Sequence, residues 1–89
     1  MNTLKRIEQK LTVLTPVQVD LHDESNAHAG HVGAAHGGGH YRLIIVSSQF
    51  TGKPTQIRHR MVYSALGDML QSEIHALSIK TYAPNEFKS

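Results

Sequence analysis

About 27 residues of helical periodicity separate two strand-like segments, and that spacing constrains the fold more than any other feature of the chain. The first strand-like segment, Tyr41 to Ser47, holds the run Leu43-Ile44-Ile45-Val46, apolar at successive positions. This suits a central strand, covered on both faces or paired along both edges. The second runs from Ile74 to Thr81, with His75, Leu77 and Ile79 expected on one face and Ala76, Ser78 and Lys80 on the other. A connection this long between neighbouring strands predicts a parallel pair joined by a right-handed crossover. Within it, Ile57, Met61, Val62, Ala65, Leu66, Met69 and Leu70 form a helical stripe between Thr55 and Gln71. Gln49 to Pro54 is a turn, and Pro54 suits the first residue of a helix. Ser64 and Gly67 stand where one helix could end and another begin, so one long helix and two short ones both fit.

Upstream, Leu4, Ile7, Leu11 and Leu14 recur at steps of three and four, which predicts a helix from Asn2 to Leu14 with one buried stripe. Asn2 or Thr3 can cap its start, and Pro16 ends it. Val17, Val19 and Leu21 then alternate with Gln18, Asp20 and His22 as in a half-buried strand, antiparallel to the next by adjacency. After the last strand, Pro84 can open a single helical turn. The expected architecture is a single α/β domain over 1–89, of order α-β-β-α-α-β-α, with a three-stranded mixed sheet and helices on one face.

Residues 23 to 40 break every periodicity. They are small, polar and Gly-rich, which predicts a long flexible loop, and such loops are uncommon unless functional or disordered. Four of the seven histidines fall in it: His28, His31, His36 and His40. His36 and His40 read as solvated loop residues, and His22 as a solvent-facing strand residue. The chain has no cysteine. That excludes a disulfide framework, a thiolate zinc site, a self-held cysteine iron–sulfur cluster and a thiol nucleophile. No apolar run approaches the ~20 residues of a membrane helix, and the N-terminal residues carry no secretory pattern. A cytoplasmic protein with no membrane partner is expected. The net charge of +2 is too small to indicate nucleic acid by itself.

Several segments in order are similar to the BolA family: Asp23-Glu24-Ser25 with His28-Ala29-Gly30-His31, then Phe50-Thr51-Gly52-Lys53 and Arg58-His59-Arg60 with Val62-Tyr63-Ser64-Ala65-Leu66. Ile74-His75-Ala76-Leu77-Ser78-Ile79 and Thr81-Tyr82-Ala83-Pro84-Asn85-Glu86-Phe87 complete the likeness, which runs from Leu4 to Phe87. Phe87 departs from the Trp common in the family. The resemblance implies a KH-like (type II) fold, in agreement with the element order. It also implies a non-enzymatic adaptor, monomeric alone, that forms a heterodimer with a monothiol glutaredoxin. The pair would share a two-iron, two-sulfur cluster, with glutathione, in iron–sulfur delivery or iron and redox-stress regulation. The family's C-terminal ligand carries over to His75. Its loop ligand matches His28 best, with His31 close enough to compete. The chemistry is consistent, since two imidazoles can replace two thiolates on one iron, and this chain supplies imidazoles but no thiolate.

Some family members are described as DNA-binding transcriptional regulators, and the residues allow that alternative. Lys53, Arg58, His59 and Arg60 cluster at the start of a helix-turn-helix-like segment over 54–71, and phosphate contacts need such charges. Against it, the second helix offers Asp68, Gln71 and Glu73 but no Arg or Lys to read guanine. The Thr51-Gly52-Lys53-Pro54 turn also lacks the Gly-x-x-Gly of a KH backbone clamp. An enzyme is not expected: Ser47, Ser48 and Ser64 have no base and orienting carboxylate at motif spacing, and a zinc site of His28, His31 and His75 would lack a general base.

Overall fold

A computed structural model of the chain describes residues 2–24 and 39–87. Its helices are α1 (Thr3–Leu11), α2 (Thr55–Leu66) and α3 (Met69–Ser72), and its strands are β1 (Gln18–Asp23), β2 (Gly39–Val46) and β3 (Ile74–Tyr82). β2 lies at the centre, antiparallel to β1 and parallel to β3. The crossover expected between the last two strands is therefore present and carries two helices. Of the loop expected over 23–40, residues 25–38 lie outside the described residues, and both ends are strand: Asp23 closes β1, while Gly39 and His40 open β2.

Local chemistry accounts for the boundaries. The Asn2 side chain caps α1 by accepting from the Lys5 N–H at 2.9 Å. A 3-10 turn, Thr12–Leu14, carries the chain off the helix. Gly67 sits at φ 55° and ψ −127°, a conformation that costs glycine little, and it separates α2 from α3. This decides between one helix and two. Buried Ser47 follows β2, donating through its hydroxyl to the Leu14 carbonyl at 2.6 Å and accepting from the Gln49 N–H at 3.1 Å.

Tyr41, Leu43 and Ile45 of β2 form one buried cluster with Ile7, Leu11 and Leu14, with Phe50, with Val62, Leu66 and Met69 of the crossover, and with Ile74. Val19 and Leu21 of β1 and Leu77 and Ile79 of β3 pack on its margin. Each such buried side chain stabilises the fold by roughly 1.5–3 kcal/mol. The alternating β2 residues His40, Arg42 and Ile44 occupy the other face, where Arg42 is exposed and the other two are half-buried.

The end of the chain corrects one expectation. Pro84–Glu86 is a single turn, closed by the Glu86 N–H donating to the Ala83 carbonyl at 2.9 Å, and no helix follows among the described residues. The Glu86 carboxylate accepts the Ala83 N–H at 2.9 Å and a bidentate pair from Arg58, at 2.7 and 3.0 Å. Arg58 in turn donates to the Lys53 carbonyl at 2.7 Å, so one guanidinium ties the start of α2 to the C-terminal turn. The Arg58 hydrogen bonds, helped by the Ala83 N–H, pull the Glu86 carboxyl down from an ordinary 4.5 to about 2.

A group depressed in this way adds stability above its unfolded pKa and loses it as the pH falls to the folded one. Glu86→Gln is therefore expected to unfold more easily than the native chain above pH 4.5, and the two should converge as the pH falls towards 2. Denaturant titrations at a series of pH values measure this. A constant offset across the whole range would show that the carboxylate's charge is not what stabilises the turn.

Candidate metal-ligand site

Between β2 and β3 the register slips once. Gly39 lies opposite Ile74, but His40 lies opposite Ala76, which leaves His75 as an extra residue in β3. A bulge of this kind reverses the alternation of side chains and re-aims one of them. Ile74 and Leu77 consequently both serve the core, and His75 is exposed. This corrects the strict alternation expected for β3, in which His75 shared the face of Leu77 and Ile79.

The bulge brings the His75 ring beside His40, with ring centres 5.1 Å apart and planes at 44°. Backbone bonds fix this end of the sheet. The Gly39 N–H donates to the Glu73 carbonyl at 2.9 Å, and the Glu24 N–H donates to the His40 carbonyl at 2.7 Å. Further along the same face, Arg42 pairs with Glu24 at 3.4 Å and lies opposite exposed His22.

Gly39 itself is a packing requirement. A Cβ there would fall on the ring of Tyr41, which folds back over the start of the strand. That phenol is buried and hydrogen-bonded to Thr3. Burial pushes its pKa above 10, against the Thr3 bond, with the carboxylates of Asp23 and Glu73 adding to the rise.

Of the residues singled out in the sequence as metal ligands, His75 is an accessible imidazole on a strand, while His28 and His31 lie outside the described residues, as does His36. His40 was placed in the loop by its Gly-rich surroundings, but it belongs to β2. Extending the alternation of Tyr41, Leu43 and Ile45 back by one position would have found it. Among the described residues no three His, Cys, Asp or Glu side chains come together as a metal cage.

The four basic residues do not act as a unit. Arg58 is only 8% exposed and committed to Glu86, so it is withdrawn from the surface set expected in the sequence. Lys53 and Arg60 are exposed and His59 is half-buried. Arg60 lines a shallow apolar groove with Val13, Leu14, Met61, Ser64 and Ala65.

The family described as BolA-like protein matches residues 11–86. The chain is 38% identical to the DNA-binding transcriptional regulator BolA of Escherichia coli (strain K12), over 94% of this chain and 78% of that protein. It is 42% identical to SufE-like protein 1, chloroplastic/mitochondrial, of Arabidopsis thaliana, over 91% of this chain but only 24% of that protein. Among solved structures it superposes on BolA1 from Arabidopsis thaliana with a TM-score of 0.84 and 37% identity, covering 99% of this chain and 98% of that one. The BolA domain of SufE1 from the same plant gives 0.81 and 41%, covering 98% and 99%.

The coupling of Gly39 to Tyr41 predicts the outcome of Gly39→Ala. The added methyl must displace the buried phenol or shift the bulge, at a cost of about 1–3 kcal/mol. Denaturant unfolding measures the cost, and the NMR shifts of the His40 and His75 rings report the displacement. Native stability with unmoved ring signals would mean that the site does not depend on this packing.

Proposed function

The chain belongs to the BolA family, and on that premise we propose that it is a non-enzymatic adaptor that binds a monothiol glutaredoxin and shares a two-iron, two-sulfur cluster with it. The observation that carries this reading is His75, an imidazole turned out of the core by a bulge and exposed on a strand. The donor chemistry fits: imidazole nitrogens replace thiolates on one iron of Rieske centres. The chain has no cysteine, so thiolates must come from outside, from the glutaredoxin and from glutathione. His75 would be the fixed ligand from this chain, and His28 or His31 the second. When bound, the cluster supplies one-electron chemistry or is itself passed on. The chain's own part is to offer neutral nitrogen donors, which makes the affinity fall as imidazole protonates.

Iron–sulfur delivery or iron and redox-stress regulation in a reducing, cytoplasmic setting belongs to this proposal. Relatives include proteins named chloroplastic and chloroplastic/mitochondrial. Among the described residues no helix is long and apolar enough to cross a membrane.

A second reading, DNA binding in transcription regulation, is favoured by the name of the Escherichia coli relative. With Arg58 held by Glu86, that reading rests on Lys53 and Arg60, with His59 beside them.

Two measurements separate these readings. Titrating the protein into cluster-loaded glutaredoxin with glutathione should change the visible absorption and circular dichroism, saturating at a fixed ratio. His75→Ala should abolish that change while the far-ultraviolet spectrum stays native. A mixed-complex spectrum that survives the substitution would refute His75 as a ligand. For DNA, replacing Lys53 and Arg60 with Gln should lower the affinity and flatten its salt dependence by about two phosphate contacts. An unchanged slope would remove this face from consideration.

A further inference from the structure

We propose that His40 and His75 form a two-nitrogen seat for a single divalent transition-metal ion of the Zn2+, Ni2+ or Cu2+ class, taken up by the chain alone. This seat needs neither glutaredoxin nor cluster, and it uses an imidazole, His40, that the family resemblance does not assign.

The geometry carries the inference. An imidazole nitrogen binds such ions at about 2.1 Å, which places the ring centre about 3.2 Å from the metal. Two rings on one ion, at donor angles of about 90° to 109°, therefore have centres about 4.6–5.3 Å apart. The His40 and His75 centres are 5.1 Å apart, and their planes are inclined at 44° rather than stacked face to face.

Both side chains rise from strand backbone at one end of the sheet. His40 is within the β2 ladder and its carbonyl accepts the Glu24 N–H, while His75 lies between two ladder residues, Ile74 and Ala76. Little ordering is then lost when the second nitrogen binds, and a second ligand presented at high effective concentration raises affinity well beyond that of one imidazole. The charge nearby does not forbid a cation: Arg42, two positions along the same face, is paired with Glu24.

The donor type selects the ion. Imidazole suits Zn2+, Ni2+ and Cu2+, whereas Mg2+ and Ca2+ want oxygen ligands. With no third His, Cys, Asp or Glu joining the pair among the described residues, water or an added ligand completes the coordination.

The test uses the metal-free full chain titrated with Cu2+, the nitrogens on the ion being counted by electron paramagnetic resonance. His28, His31 and His36 could also take up metal, so a variant with Ala at all three is titrated in parallel. That variant is expected to keep one ion per chain with two imidazole nitrogens. On the same background, His40→Ala and His75→Ala should each leave one nitrogen and weaken binding about a hundredfold. Should His40→Ala fail to fold, as shown by its far-ultraviolet spectrum, His40→Gln replaces it. Loss of the two-nitrogen signal in the triple variant would overturn the proposal, as would unchanged binding after either single substitution. Because the titration contains no glutaredoxin, glutathione or cluster, its failure would leave the shared-cluster reading to be judged separately.

Discussion

β2 is hydrogen-bonded along both edges, and the arrangement of this small domain depends on that double pairing. Its antiparallel edge takes β1 and its parallel edge takes β3, which only a crossover can reach. Parallel strands start at the same end of a sheet, and an antiparallel neighbour ends there. The close of β1 with Glu24, the start of β2 with His40 and the start of β3 with His75 therefore meet at one end. Residues far apart in the chain become neighbours there through topology alone.

What was legible in the sequence was whatever the apolar pattern encodes. Leu43 to Val46 marked the central strand, the stripe from Ile57 to Leu70 marked the crossover, and its length implied parallel pairing. The bulge left only a faint trace, because a one-residue slip reverses the alternation at a single point, which Ile74 alone marks. Strict alternation put His75 with Leu77, when Ile74 is the residue that packs. His40 was hidden for a different reason. The glycines at 37 to 39 read as loop, whereas Gly39 is strand, and its lack of a side chain is what admits the Tyr41 ring.

Charge was harder to read than apolarity. Arg58-His59-Arg60 is one basic cluster in the sequence, but successive helical residues point in different directions. Arg58 faces inward to a carboxylate that arrives from the far end of the chain. Sequence spacing carried no signal for that partner. The consequence reaches beyond one residue: an arginine holding two backbone segments together is a structural cation, and its loss would loosen the fold before it reported on any surface contact. Lys53 and Arg60, which make no such bonds among the described residues, are the ones whose removal reports on the surface.

The two imidazoles and the missing cysteines point the same way. A cage of four protein ligands closes around its metal and gives nothing to a second molecule. Two nitrogens would hold an ion only in part and leave positions open to water or to another donor. If the proposals above hold, water would complete such a site in the chain alone, and a second molecule's donor could replace that water. The packing beneath keeps it open. Tyr41 fills the core under the strand start and occupies the space a side chain at 39 would need, next to the slip that sets His75 beside His40. Core packing and the placement of the two imidazoles thus meet at a single glycine.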